Sequence, residues 1–99
     1  MVTWDNIVDN FTGNEEKCLL SLLKNGHDNC FSSQTIKEAK LEGFSINEIN
    51  SVVKKLEEKG LCHKIPRSLF SIIWGWLYEA DFSVIIAWGF YIHGKKAVS

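Results

Sequence analysis

The sequence has few of the features that mark disordered or secreted proteins. It contains one proline and seven glycines in 99 residues, and no repeat or low-complexity stretch, so we expect a folded chain without an internal linker. Its three cysteines have no regular spacing and an odd number, which favours free thiols in a reducing compartment. Asp5 and Asp9 lie where a secretory leader would be basic and then apolar. We therefore predict a cytoplasmic protein.

Sequence motifs of catalysis are also missing. There is no glycine-rich phosphate loop, no nucleophile elbow and no histidine–glutamate zinc helix. His27, Cys30, Cys62 and His63 offer nitrogen and sulfur atoms for a zinc or redox site, but they lack paired Cys-x-x-Cys spacing. We favour buried free thiols instead. The sequence thus predicts no catalytic residue, no metal and no cofactor, and a protein that is not an enzyme.

Neither sign of charge dominates the composition. Eleven basic and twelve acidic residues give a net charge of -1, whereas a DNA-binding domain usually has a basic excess that neutralises phosphates. The charges are unevenly placed, because residues 1–16 include four acidic and no basic residues, while residues 45–67 include five basic and three acidic ones. A local basic face, with the acidic N-terminus turned away from it, is compatible with this distribution.

The clearest local signal is the segment 45–64, which predicts an amphipathic helix followed by a strand. Ser45 and Glu48 form a capping box, and Gly60 supplies the left-handed residue that commonly ends a helix. Apolar residues recur every three or four positions and therefore share one face. They are Ile46, Ile49, Val52, Val53 and Leu56. The opposite face is polar and free to contact another molecule.

Two further helices are predicted before this one. A capping box at Thr12 opens a helix of about three turns, which Gly26 closes. A second, shorter helix can be capped by Ser32 or Ser33, and residues 30–32 just before it fit a brief strand. The chain therefore reads as helix, strand, helix, turn, helix and strand.

This order, together with the phrase KKLEEKGL at residues 54–61, resembles winged helix-turn-helix domains, particularly the MarR-like transcription regulators. The resemblance covers about residues 14–66. It implies an α+β fold with a three-helix core and a small antiparallel sheet. It also implies that residues 45–59 are the DNA recognition helix and that a wing follows Pro66.

The resemblance assigns specific residues to DNA. Asparagine can pair with adenine, serine can reach bases or phosphates, and lysine and arginine bind phosphates. The implied base-reading or clamping residues are Asn47, Asn50, Ser51 and Lys54, and the implied phosphate-binding residues are Lys55, Lys64 and Arg67. Double-stranded DNA is then the expected partner.

The C-terminal third is rich in apolar and aromatic residues. Eighteen of the 24 residues from 69 to 92 are of these types, and the only charges are Glu79 and Asp81. The break at residues 78–81 predicts an aromatic-rich C-terminal hairpin of strands at 69–77 and 82–92, which would extend the sheet. Helices remain an alternative, because a continuous apolar run has no diagnostic period. A membrane hairpin is disfavoured, because both acidic residues would lie near the bilayer centre.

The sequence therefore supports one domain, residues 1–99, and two functions. Its parts are an N-terminal helix or arm (1–13), the helix-turn-helix core with the first wing strand (14–66), an aromatic wing or dimerisation segment (67–94) and a tail (95–99). The first function is a DNA-binding transcription regulator that forms a homodimer. The second is a winged-helix adaptor or inhibitor that binds a protein instead. In either case Trp74, Trp76 and Trp88 are the expected protein interface.

Overall fold

The computed structural model describes residues 2–66, 72 and 75–98 of the chain. Five helices and three strands lie within these described residues: α1 (Trp4–Ile7), α2 (Gly13–Asn25), β1 (Cys30–Ser32), α3 (Ser33–Leu41), α4 (Ile46–Glu58), β2 (Cys62–Lys64), β3 (Trp76–Ala80) and α5 (Phe82–Val98). The protein is a small α+β domain.

The helices α2, α3 and α4 begin where their capping residues predict. Thr12 and Glu15 bond reciprocally at the start of α2, with N–H to oxygen distances of 2.8 and 3.1 Å. Ser45 and Glu48 do the same at the start of α4, at 2.9 and 3.1 Å. Ser32, rather than Ser33, caps α3. The predicted helices of the core are therefore confirmed.

The strands form one antiparallel sheet in the order β1-β3-β2. The central strand β3 places Glu79 opposite Cys30 of β1 and Ala80 opposite Cys62 of β2. The backbone N–H of Ile65 continues the β2–β3 pairing with a 3.1 Å bond to the carbonyl oxygen of Leu77. The strands predicted at residues 30–32 and at the end of the segment 45–64, and a small antiparallel sheet that includes them, are confirmed.

The predicted C-terminal hairpin is wrong in its second strand and in the position of its break, because residues 78–80, where the break was predicted, belong to β3. β3 occupies Trp76–Ala80, but residues 82–92 form the first part of the helix α5. The carboxylate of Asp81 accepts a 3.1 Å bond from the backbone N–H of Ser83, which caps this helix. The run is apolar on all sides, so its pattern could not distinguish strand from helix, and the helical alternative holds here. Residues 69–71, 73 and 74 of the other predicted strand lie outside the described residues.

One hydrophobic core joins the helices and the sheet. Its most deeply buried side chains come from α1, α2, β1, α4 and α5; they include Ile7, Leu19, Leu22, Phe31, Ile49, Val52, Leu56 and Val84. Within the N-terminal helix or arm expected at residues 1–13, the structure has a single helical turn, α1. It is fixed by the Trp4 ring, which stacks on Tyr91 of α5 with ring centroids 5.0 Å apart. None of the described helices is long and apolar enough to span a bilayer.

Candidate nucleic-acid interface

The outer face of α4 presents polar side chains to solvent. Asn47, Asn50 and Lys54 are all exposed. The inner face, buried against the core, holds Ile49 and Val52 with their neighbours Val53 and Leu56, so the register of the helix is fixed. Asn47, Asn50 and Lys54 succeed each other at spacings of three and four residues and therefore form one row. This row is the central part of the candidate interface.

Glu48 lies beside this row, but its carboxylate has a structural role. Its Oε1 accepts the 2.9 Å bond from the backbone N–H of Ser45 that completes the capping box. A negative charge in the first turn also interacts favourably with the positive end of the helix dipole. The carboxylate is therefore held at the helix terminus rather than extended from the outer face.

Ser51 and Lys55 lie on the side of α4 that faces α2. Both bond to the carboxylate of Glu15, the Ser51 hydroxyl at 2.5 Å and the Lys55 Nζ at 2.7 Å. Lys55 Nζ also donates to the carbonyl oxygen of Asn10 at 2.9 Å and lies 5.6 Å from the Phe11 ring centroid. These two predicted DNA contacts are thus occupied within the protein, because α2 covers that side of the helix.

The Glu15 carboxylate is nearly buried and has several donors. The Lys55 ammonium, the Ser51 hydroxyl and the Thr12 backbone N–H together hold the pKa of Glu15 at about 2, below its ordinary value of 4.5. Glu15 is therefore ionised at neutral pH and paired with Lys55. Its capping role was visible in the sequence, but its contact with α4 spans 40 residues and had no local signal.

The N-terminal segment also pairs with the end of α4. Lys59 Nζ lies 2.6 Å from the Asp9 carboxylate and 3.2 Å from the carbonyl oxygen of Asn6. Lys59 lowers the pKa of Asp9, mainly through this hydrogen bond. The expectation that the acidic N-terminal segment is turned away from the basic segment is therefore wrong. Its carboxylates instead neutralise two lysines of that segment, Lys55 and Lys59.

A second group of basic residues borders the sheet and α3. Lys64 of β2 is exposed and lines a cleft with Ser33, Gly75 and Trp76. Arg67, the other predicted wing contact, lies outside the described residues. Of the predicted phosphate contacts Lys64 and Arg67, the structure therefore describes Lys64 alone, at the edge of the sheet.

The outer face of α3 adds two basic residues that the sequence reasoning did not assign. Lys37 and Lys40 are exposed, and both line a shallow depression that also includes Ser33. Because Ser33 also lines the cleft beside Lys64, the two depressions meet at this residue. Lys37 and Lys40 are three residues apart on a short capped helix, and this spacing was the signal in the sequence that they share one exposed face.

The structure describes two of the three tryptophans of the predicted protein interface. Trp76 is half-buried in β3 beside the cleft, and Trp88 is half-buried against the core. Trp74 lies outside the described residues. The strongly exposed apolar side chains of α5 are instead Phe82, Ile86 and Phe90.

The three cysteines are buried and free. Burial raises the pKa of both Cys18 and Cys62 to about 12 and also raises the pKa of Cys30, so the thiols stay protonated at neutral pH. His63 Nε2 lies 3.8 Å from Glu79. No group of three or more potential metal ligands occurs among the described residues.

The chain has no significant match among models of known protein families, curated proteins or solved structures.

Proposed function

We propose that the chain is a winged helix-turn-helix domain that binds double-stranded DNA through the outer face of α4. The order of its elements supports this, because α2, β1, α3, α4, β2 and β3 succeed each other as the resemblance implies. The turn between α3 and α4 is tight, with Gly43 at a φ of +104°. The wing that the resemblance implies after Pro66 falls mostly on residues outside those that the structure describes.

The observation that carries the proposal is the exposed polar row of α4. Asn47 and Asn50 would contact base edges in the major groove, since an asparagine amide can donate to and accept from adenine. Lys54 would bind a phosphate at the same groove. Among the predicted contacts on α4, this row keeps its side chains exposed, whereas Ser51 and Lys55 are bonded to Glu15.

Basic residues flanking the row would position the DNA backbone. Lys64 lies on β2, and Lys37 and Lys40 lie on α3, all three exposed. Phosphate contacts supply affinity and register, while base contacts supply specificity. In this proposal Arg67 keeps the phosphate-binding role that the resemblance implies for the wing.

The test is fluorescence anisotropy of a labelled random-sequence duplex at low and physiological salt. We expect binding that weakens as salt rises, and we expect Lys54→Glu to weaken it at least about tenfold. Lys17→Glu is the matched control, because it makes the same charge change at an exposed position of α2. Wild-type protein that ignores the duplex at low salt would refute DNA binding. Equal losses in the two variants would refute the assignment to α4.

A second candidate function is a protein-binding winged helix. The observation in its favour is that Lys55 and Lys59 are neutralised by Glu15 and Asp9. In addition, Glu57 and Glu58 are exposed in the last turn of α4. In this case the K54E substitution would not change the anisotropy of the labelled duplex, and the partner would be a protein.

A further inference from the structure

The outer side of α3 combines apolar side chains with lysines. Its residues succeed one another at intervals of three and one positions, which places them on one side of a helix. They are Ser33, Ile36, Lys37, Lys40 and Leu41, and they line a shallow depression of about 360 Å³. None of them is buried, and Leu41, at 72% exposed, is the most exposed large apolar side chain among the described residues. We call these five residues the α3 stripe.

The α3 stripe is separate from the hydrophobic contacts that hold α3 in the fold. The opposite side of the helix packs on the core, where Thr35 and Ala39 are completely buried. Single exposed apolar residues are ordinary on a protein surface, but Leu41 and the half-buried Ile36 line one depression together. A helix with a second side of this composition is suited to packing against another helix.

The lysines of the stripe have no ionic partner within the part of the chain that the structure describes. The carboxylates on α3 and at its end are bonded elsewhere. Glu38 accepts a 2.7 Å bond from the side chain of Gln34, and Glu42 pairs with Lys24 at 3.0 Å. The positive charge of the stripe is therefore not neutralised by its own helix.

A third lysine lies beside the stripe. Lys64 of β2 is exposed and lines the cleft that meets the depression at Ser33. The described residues that line the cleft and the depression include no carboxylate. Phosphates would also be attracted to these lysines, but they gain nothing from an exposed leucine and isoleucine between them. A partner that uses both features must carry acidic and apolar side chains together.

We propose that the α3 stripe is the docking surface for an acidic amphipathic helix of another protein. The apolar side chains of that helix would pack on Ile36 and Leu41. Its carboxylates would pair with Lys37, Lys40 and Lys64. This inference goes beyond DNA binding and does not depend on it. Because the same lysines are proposed phosphate contacts, the bound helix and a duplex would compete for this side of the domain.

The first test is fluorescence anisotropy of a labelled peptide of about 14 residues, titrated with the full chain. Its leucines recur every three or four positions, and its other positions are glutamate. We expect a Kd of about 10 to about 100 µM that rises with salt. One control peptide has glutamine for every glutamate, and another has alanine for every leucine. Each should bind at least about tenfold more weakly, because it lacks one of the two features that the stripe matches.

Variants of the chain test the location of the binding surface. Lys40→Glu and Leu41→Ser should each weaken binding of the acidic leucine peptide at least about tenfold. The matched controls are Lys17→Glu and Phe82→Ser, which make the same changes at exposed positions of α2 and α5. If K40E or L41S alters the circular dichroism, Lys37→Glu replaces it.

The outcomes distinguish this proposal from DNA binding. K54E should weaken duplex binding and leave peptide binding nearly unchanged, whereas L41S should do the reverse. Absence of peptide binding up to about 0.5 mM chain overturns the proposal. Equal binding of the peptide with alanine for leucine, or equal losses in the α3 variants and their controls, also overturns it. Peptide binding by a chain that ignores the duplex supports this proposal and refutes the one for α4.

Discussion

Substituting Glu15 by glutamine should destabilise the fold by removing one charge from a nearly buried ion pair. The carboxylate accepts bonds from Ser51, Lys55 and the Thr12 backbone N–H, and its side chain is only 9% exposed. Glutamine has a similar shape and can still accept from Thr12. Its amide nitrogen, however, would replace the oxygen that accepts from the Ser51 hydroxyl. The variant therefore removes the attraction to the Lys55 ammonium together with this Ser51 hydrogen bond.

The magnitude follows from the pKa of Glu15. A decrease from 4.5 to about 2 corresponds to about 3 kcal/mol at 1.36 kcal/mol per unit. Lys55 is 26% exposed and also bonds to the Asn10 carbonyl, so solvent screening and this second contact reduce the loss. We expect Glu15→Gln to lower the free energy of unfolding by about 2 kcal/mol at pH 7, and Tm by about 10 °C.

The difference in unfolding free energy between wild type and E15Q should also depend on pH. Because the folded-state pKa lies below the ordinary value, the stabilisation is fully present above about pH 4.5 and is lost as pH falls towards 2. The difference between wild type and E15Q should therefore shrink over that range. Urea unfolding followed by tryptophan fluorescence measures it, with Glu58→Gln, an exposed position on α4, as control. A loss equal to that of E58Q, or one that persists at pH 2, would refute the reasoning.

Two further predictions concern the backbone and the thiols. Gly43→Ala should lower the free energy of unfolding by about 1 kcal/mol, because Gly43 has a φ of +104° although a Cβ there would meet nothing within 4 Å. Gly13→Ala, at an equally open helical position, should be neutral or stabilising, and equal thermal shifts in the two variants would contradict this account. The buried thiols of Cys18 and Cys62, whose pKa values are raised to about 12, should react with a disulfide reagent at pH 8 far more slowly in the native protein than in urea. Similar rates in both conditions would contradict their burial.

The parts of the fold that follow local rules could be predicted from the sequence. A capping box is a contact between residues three positions apart, so Thr12 and Ser45 identify the starts of α2 and α4 without any knowledge of the tertiary structure. The apolar face of α4 also follows from spacing, except that Ile46, which the spacing places on this face, is 44% exposed in the first turn. The segment 82–92 differs because it is apolar on both faces, so the strand period and the helix period fit it equally well.

The candidate site was less predictable because it depends on which side of α4 is covered. Spacing separates the buried face of a helix from the rest, but it does not show that α2 and the N-terminal segment cover Ser51 and Lys55. That contact joins Glu15 to residues 36 and 40 positions further along the chain. The same packing leaves Asn47, Asn50 and Lys54 exposed.

Because some charges of α4 are paired within the protein and others are exposed, the net charge of the chain is a poor guide to DNA binding. Pairing Lys55 with Glu15 and Lys59 with Asp9 leaves the net charge of the chain at -1, but it places two neutral pairs on one side of the helix. Exposed charges act on a phosphate only within a Debye length of about 8 Å at physiological salt. The local balance between Lys54 and the exposed Glu57 and Glu58, with the flanking lysines of α3 and β2, therefore matters more than the total. Binding would thus require the N-terminal half of α4 to enter the groove while the two glutamates stay outside it.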